Sequence, residues 1–118
     1  ARNDSANSAT MGIIARFTVV AKFGMKPELI GGLRSWCKEV GSRAGVTAEN
    51  TRLLTGSVGA AEGLIELELT LPRLSSLDEF FSAIPGEDHV AWGKANAPFI
   101  VDGSTKWEVM REVALLDE

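Results

Sequence analysis

The run from Ile13 to Phe23 constrains the fold more than any other part of the chain. Ile13, Ala15, Phe17, Val19, Ala21 and Phe23 fall on one face, and Ile14, Arg16, Thr18, Val20 and Lys22 on the other. Successive side chains of an extended backbone point to opposite sides, so a period of two carried by β-branched and aromatic residues specifies a strand. One face of that strand is wholly apolar and must be covered by a second layer. Gly24 is the expected end.

The next segment changes period. Pro27 suits the first turn of a helix, where its missing N–H is not needed. Leu29, Ile30, Leu33, Trp36, Cys37 and Val40 then recur at spacings of three and four and draw a single apolar stripe. Gly31 and Gly32 lower helix propensity inside the stripe. They mark either a tight contact or room left for something else. Thr51 to Val58 reads as a second strand and Leu64 to Leu71 as a third, joined around Gly59 to Gly63 as an antiparallel hairpin.

After Pro72, Ser76 and Glu79 have the spacing of a capping box ahead of Leu77, Phe80, Phe81 and Ile84. Pro85-Gly86 interrupts that helix, and Glu87 and Asp88 open a second half that runs past Val90 and Trp92 to Asn96. Thr105 to about Leu115 is the last strand, with Trp107, Val109 and Val113 on one face. The order strand, helix, hairpin, broken helix, strand implies an α+β, ferredoxin-like β-α-β-β-α-β fold. Its four-stranded antiparallel sheet is expected in the order 4-1-3-2, with the helices on one face.

Such a plan leaves the other sheet face open. That face is expected to carry Ile14, Val20, Leu64 and Met110 among charges, and an apolar-rich open face is an interaction surface. Arg16 and Lys22 are placed to neutralise Glu66 and Glu68 on the neighbouring strand. Sheet-to-sheet packing of two copies then gives a homodimer with a closed, barrel-like core.

Composition narrows the functions. The 118 residues suit one domain, expected over 11–118, with residues 1–10 a loose tail or cloning remnant. Twelve scattered basic residues against sixteen acidic ones, a net charge of −4, argue against a nucleic-acid partner. Cys37 is the only cysteine, which excludes an intramolecular disulfide and a thiolate zinc site. No apolar run reaches the roughly 20 residues of a membrane span, so no membrane partner is expected. The expected location is the cytoplasm.

The stretch from Leu67 to Val113 carries a family resemblance. A strand is followed by Leu-Asp-Glu-Phe-Phe (77–81), a broken helix with Ala-Trp-Gly-Lys (91–94), Ala-Pro (97–98), a glycine turn and Trp-Glu-Val (107–109). This succession resembles the dimeric α+β barrel superfamily, in the branch of the antibiotic-biosynthesis monooxygenases and NIPSNAP-like proteins. Element order is shared over 11–113, residue pattern over the later half. The resemblance implies a pocket between sheet and helices near the broken helix. It also implies cofactor-independent oxidation of a hydrophobic, polyketide-like aromatic, or a related cyclase or dehydratase reaction. The alternative is a non-catalytic dimer that binds a small ligand or a partner protein.

Each candidate side chain has two readings. His89, the sole histidine, is a general base or a solvent-facing residue at a helix start. Trp92 and Asn96 share a helix face. By resemblance they hold a substrate oxyanion together with Arg16; otherwise they are a core tryptophan and a helix-ending asparagine. Trp36, Trp107 and Phe81 are expected as substrate-binding aromatics. Haem-degrading relatives resemble a pattern with an asparagine on the first strand, where this chain has Arg16 and Thr18, which disfavours haem. Glu66 and Glu68, about 7 Å apart on one strand face, are an acid–base pair or simply ion-paired. Cys37 on the apolar stripe is expected to be inert, and neither a metal nor a cofactor is implied.

Overall fold

The computed structural model describes residues 12–116, so the expected tail at 1–10 lies outside the described part. Strand β1 (Ile13–Val20) pairs antiparallel along its whole length with β3 (Leu64–Leu71), from Ile13 opposite Leu71 to Val20 opposite Leu64. β4 (Lys106–Arg111) flanks β1, and β2 (Thr51–Thr55) flanks β3. The sheet order is β2-β3-β1-β4, which is the expected 4-1-3-2 read from the opposite edge.

Three helices cover one face: α1 (Lys26–Glu39), α2 (Leu74–Ala83) and α3 (Gly86–Asn96). The protein is therefore α+β with a ferredoxin-like arrangement. Alternation decides which strand residues meet the helices. Ile13, Ala15 and Val19 of β1 and Ile65, Leu67 and Leu69 of β3 are buried with Leu29, Leu33 and Trp36 of α1 and Phe80 of α2. Each large apolar side chain so buried contributes about 1.5–3 kcal/mol, and together they fix the helix layer on the sheet.

Several element ends differ from expectation, each for a local reason. β1 stops at Val20; Ala21 beyond it is held by an isolated bridge to Ile100 and by its N–H donating to the Gly63 carbonyl. The Lys22 carbonyl then accepts from Met25 N, and Gly24 takes φ +81°, so the chain reverses and Phe23 projects fully into water. β2 ends at Thr55 rather than Val58. The Gly56 N–H bonds the Leu64 carbonyl and closes the hairpin early. β4 ends at Arg111, opposite Ile13, because its partner strand begins there; Val113 beyond it is exposed.

The capping box does not form. α2 starts at Leu74, which leaves Ser76 inside the first turn with its N–H bonded to the Arg73 carbonyl. The break between α2 and α3 follows from Pro85. The residue before a proline is pushed out of the helical region, and Ile84 is extended (φ −69°, ψ 125°). Glu87 and Asp88 do occupy the first turn of α3.

Gly32 explains one of the two helix glycines. A Cβ at this position would overlap the side-chain amide of Asn96, so only glycine lets α3 approach α1 so closely, whereas at Gly31 a Cβ would meet nothing within 4 Å. Gly32→Ala is therefore expected to destabilise by about 1–3 kcal/mol through overpacking. Gly31→Ala is expected to stabilise by up to about 1 kcal/mol through helix propensity. Urea denaturation of the two variants distinguishes them, and equal midpoints would contradict the close contact.

Candidate functional site

The approach of α3 to α1 positions a set of aromatic rings. His89, Trp92 and Asn96 lie three and four residues apart on α3 and face α1. Trp92 Nε1 donates to the Gly32 carbonyl at 2.6 Å, and Asn96 Nδ2 donates to the Trp92 carbonyl at 3.0 Å. Asn96, 7% exposed, thus sets the helix contact that holds Trp92 in place.

Between this helix pair and the sheet lies a cavity of about 390 Å³. Its floor is Phe17 and Leu67 from the central strands, with Trp107 on β4. Trp36, Phe80, His89 and Trp92 form the helix side. The volume lies within the range of small-molecule sites, and the lining is mostly apolar, as in such sites generally. All three tryptophans of the chain border it. The rings touch in sequence: Trp92 stacks on His89 (6.4 Å, 16°), His89 meets Trp36 edge-on (6.1 Å), and Trp36 meets Phe80 at 6.4 Å. Across the cavity Phe17 packs on Trp107 at 5.3 Å.

One hydrogen bond gives His89 a defined chemistry. Trp36 Nε1 donates to His89 Nδ1 at 3.0 Å. An indole nitrogen can only donate, so Nδ1 must be unprotonated and the neutral ring carries its proton on Nε2. In this geometry His89 offers a hydrogen-bond donor, whereas a general base needs a lone pair.

The structure brings His89, Trp36, Trp92 and Trp107 together around one cavity. Phe81 stands just outside the lining; it is 45% exposed and meets Trp107 edge-on at 5.5 Å. Asn96 lies behind Trp92. Thr51, Thr105 and Lys106 also border the cavity. The last strand begins at Lys106 rather than at the expected Thr105, so Thr105 reaches the cavity from the segment just before it, which strand alternation does not signal. Burial pushes the Cys37 thiol up from its ordinary value, which keeps it protonated and unreactive. Among the described residues no group of three or more His, Cys, Asp or Glu side chains could hold a metal ion, and no helix is long and apolar enough to cross a membrane.

Arg16 is on the opposite face of the sheet. Its Nη2 lies 2.8 Å from Glu68 Oε2, and its Nε lies 3.6 Å from Glu66 Oε1. The second partner of Glu68 is Arg52 at 2.9 Å, and not the expected Lys22. Arg52 stands directly opposite Glu68 in the hairpin, whereas Lys22 lies past the end of β1. Arg52, Glu68, Arg16 and Glu108 form one row of alternating charge across all four strands.

Comparison with solved structures agrees with the fold. The PA3566 protein of Pseudomonas aeruginosa aligns with a TM-score of 0.61 at 15% identity, over 88% of this chain and 96% of its own. NE2512, a protein of unknown function from Nitrosomonas europaea, aligns with a TM-score of 0.56 at 13% identity, over 93% and 95%. Likeness at such identity establishes the small α+β fold with its four-stranded antiparallel sheet. No protein-family model matches the chain, and no curated protein matches it.

Glu68 makes stability depend on pH. Burial at 4% exposure pushes its carboxyl up, but hydrogen bonds from Arg52 and Arg16, with their charges, outweigh burial and hold it below its ordinary value. The folded carboxyl binds a proton less readily than the unfolded one. Its contribution is therefore fully present above the ordinary carboxylate pKa and is lost as pH falls through the depressed folded value. Glu68→Gln is expected to flatten the acid-side fall of the urea midpoint. A variant whose profile parallels the parent's would contradict this role.

Proposed function

We propose that this chain is a small-molecule enzyme of the cofactor-independent monooxygenase type, or a related cyclase or dehydratase. Its substrate is a planar, hydrophobic, polyketide-like aromatic held in the tryptophan-lined cavity. The observation that carries this reading is His89, a directional donor fixed by Trp36 at the wall of a mostly apolar site that all three tryptophans border.

A flat ring system fits among Trp36, Trp92, Trp107 and Phe17, with a phenol or enol oxygen toward His89 Nε2–H. The substrate's acidic proton passes to solvent water, since the lone pair of His89 Nδ1 is engaged by Trp36, and the neutral imidazole donor stabilises the anion left behind. In the oxygenase form that electron-rich anion is itself the reductant of dioxygen: a carbon–oxygen bond forms to give a peroxide, whose O–O bond then breaks to leave one oxygen as a substrate carbonyl and the other as water, with no metal or flavin taking part. In a cyclase or dehydratase the same donor holds an enolate. A second reading, a ligand-binding protein without catalysis, is favoured by Asn96 and Arg16, both engaged elsewhere.

We further propose a cytoplasmic homodimer of the dimeric α+β barrel kind, joined through the open sheet face. Ile14 lies beside Met110 at one end of that face and Val20 beside Leu64 at the other, with the charge row between them. Met110 is 49% exposed in the single chain, which supports a covering partner.

Thermal-shift measurements with hydroxylated tricyclic aromatics, followed by product analysis in air, test the enzyme reading. A ligand is expected to raise Tm in the parent protein. In His89→Ala turnover is expected to fall about 10²–10³-fold, the usual cost of losing one oxyanion donor. Binding without turnover would leave the second reading, and no Tm shift with any aromatic would remove both. Sedimentation tests the dimer. The parent is expected to run as two subunits and Ile14→Glu combined with Met110→Glu as one, whereas a monomeric parent would rule out the barrel.

A further inference from the structure

A second hollow lies against the first. It is an open groove of about 430 Å³ between α1 and β2, with an apolar floor of Leu33, Cys37, Leu53 and Leu67. Leu33, Val46, Thr51 and Leu67 border both spaces, so the groove and the aromatic cavity share these side chains as a wall. Their positions form a short partition from α1 across to the hairpin. Val46 is the only one of the four outside the helices and strands, in the segment after the turn at Gly45.

The rim of the groove is basic. Arg34, Lys38 and Arg52 border it, and none of its lining residues is a carboxylate. This is an unusual concentration for a chain of net charge −4. Arg34 and Lys38 are one helical turn apart on α1 and both are exposed. Arg52 already has Glu68 as its partner, so Arg34 and Lys38 are the cations to which a ligand is assigned.

We infer that cavity and groove form one elongated binding site for an amphipathic anion, an aromatic head carrying an alkyl or acyl arm that ends in a carboxylate. The head occupies the tryptophan-lined cavity, which rests on the reading of that cavity as a ligand site. The arm passes Val46 and lies on the apolar floor, and the carboxylate reaches Arg34 and Lys38. An apolar trough edged by like charges suits this chemistry. The trough removes methylenes from water, while the cations stay solvated until a counter-charge arrives.

The test uses three probes and calorimetric titration of the intact protein: 2-naphthol, 6-(2-naphthyloxy)hexanoic acid and its methyl ester. The acid is expected to bind about fivefold tighter than the ester at low salt, as suits exposed ion pairs, and added salt is expected to shrink that margin. Arg34→Gln combined with Lys38→Gln changes only exposed side chains. It is expected to bring acid and ester to equal affinity while leaving naphthol binding unchanged. If naphthol binds but acid and ester bind equally, or if the double variant keeps the margin, the elongated site is wrong and the aromatic cavity stands. Failure of all three probes to bind would overturn both.

Discussion

The close approach of α3 to α1 at Gly32 is the constraint on which the site depends. Helix axes normally stay 8–10 Å apart because side chains intervene, and here the missing Cβ lets the Asn96 amide settle against the α1 backbone. Trp92 follows, since its indole can reach the Gly32 carbonyl only if α3 is near. His89 lies one turn earlier on the same face, and so comes within reach of Trp36. A change of one methyl group at Gly32, which does not itself line the cavity, therefore bears on the whole aromatic wall.

The same contact explains why the cavity persists. Ring edges and faces in the chain from Trp92 to Phe80 support one another at 6.1–6.4 Å, within the range where aromatic pairs are favourable. Each ring is also anchored by an element that packs for its own reasons: Trp36 on the stripe of α1, Phe80 on α2, Phe17 in the central strand. Aromatic side chains that brace each other around a space leave it open, whereas flexible aliphatic ones could fold into it.

Much of the fold was legible because alternation and helical spacing are local properties. The bounds of β3 match expectation residue for residue, and the α1 stripe names Leu29, Leu33 and Trp36, all buried. The errors fall where a distant partner decides. β4 stops where β1 begins, and the Ser76–Glu79 spacing was overruled by a helix whose N-cap is Arg73, three residues earlier. For the site, the aromatic residues could be named, since three tryptophans in a short chain have few places to go. Their mutual geometry could not. That Asn96 faces a glycine, or that His89 accepts from Trp36, depends on how α3 lies across α1, and neither segment encodes that angle alone. Arg16 was misplaced relative to the site because its role came from resemblance, while its even position on β1 already assigned it to the other face.

The row of Arg52, Glu68, Arg16 and Glu108 has a consequence for how the sheet assembles. A slip of β3 along β1 by two residues keeps every apolar side chain on its proper face, so hydrophobic patterning alone does not forbid it. From the observed pairing of Arg16 with Glu68 and Ile14 with Thr70, one such slip sets Glu68 beside Ile14. The other sets Glu66 beside Val20. Either way a carboxylate comes to lie opposite an aliphatic side chain, although the first slip also sets Glu66 opposite Arg16, whereas the second leaves Thr70 there. The observed alignment is thus the one that sets a carboxylate opposite Arg16 and none opposite an aliphatic residue of β1, a choice that the core alone does not make.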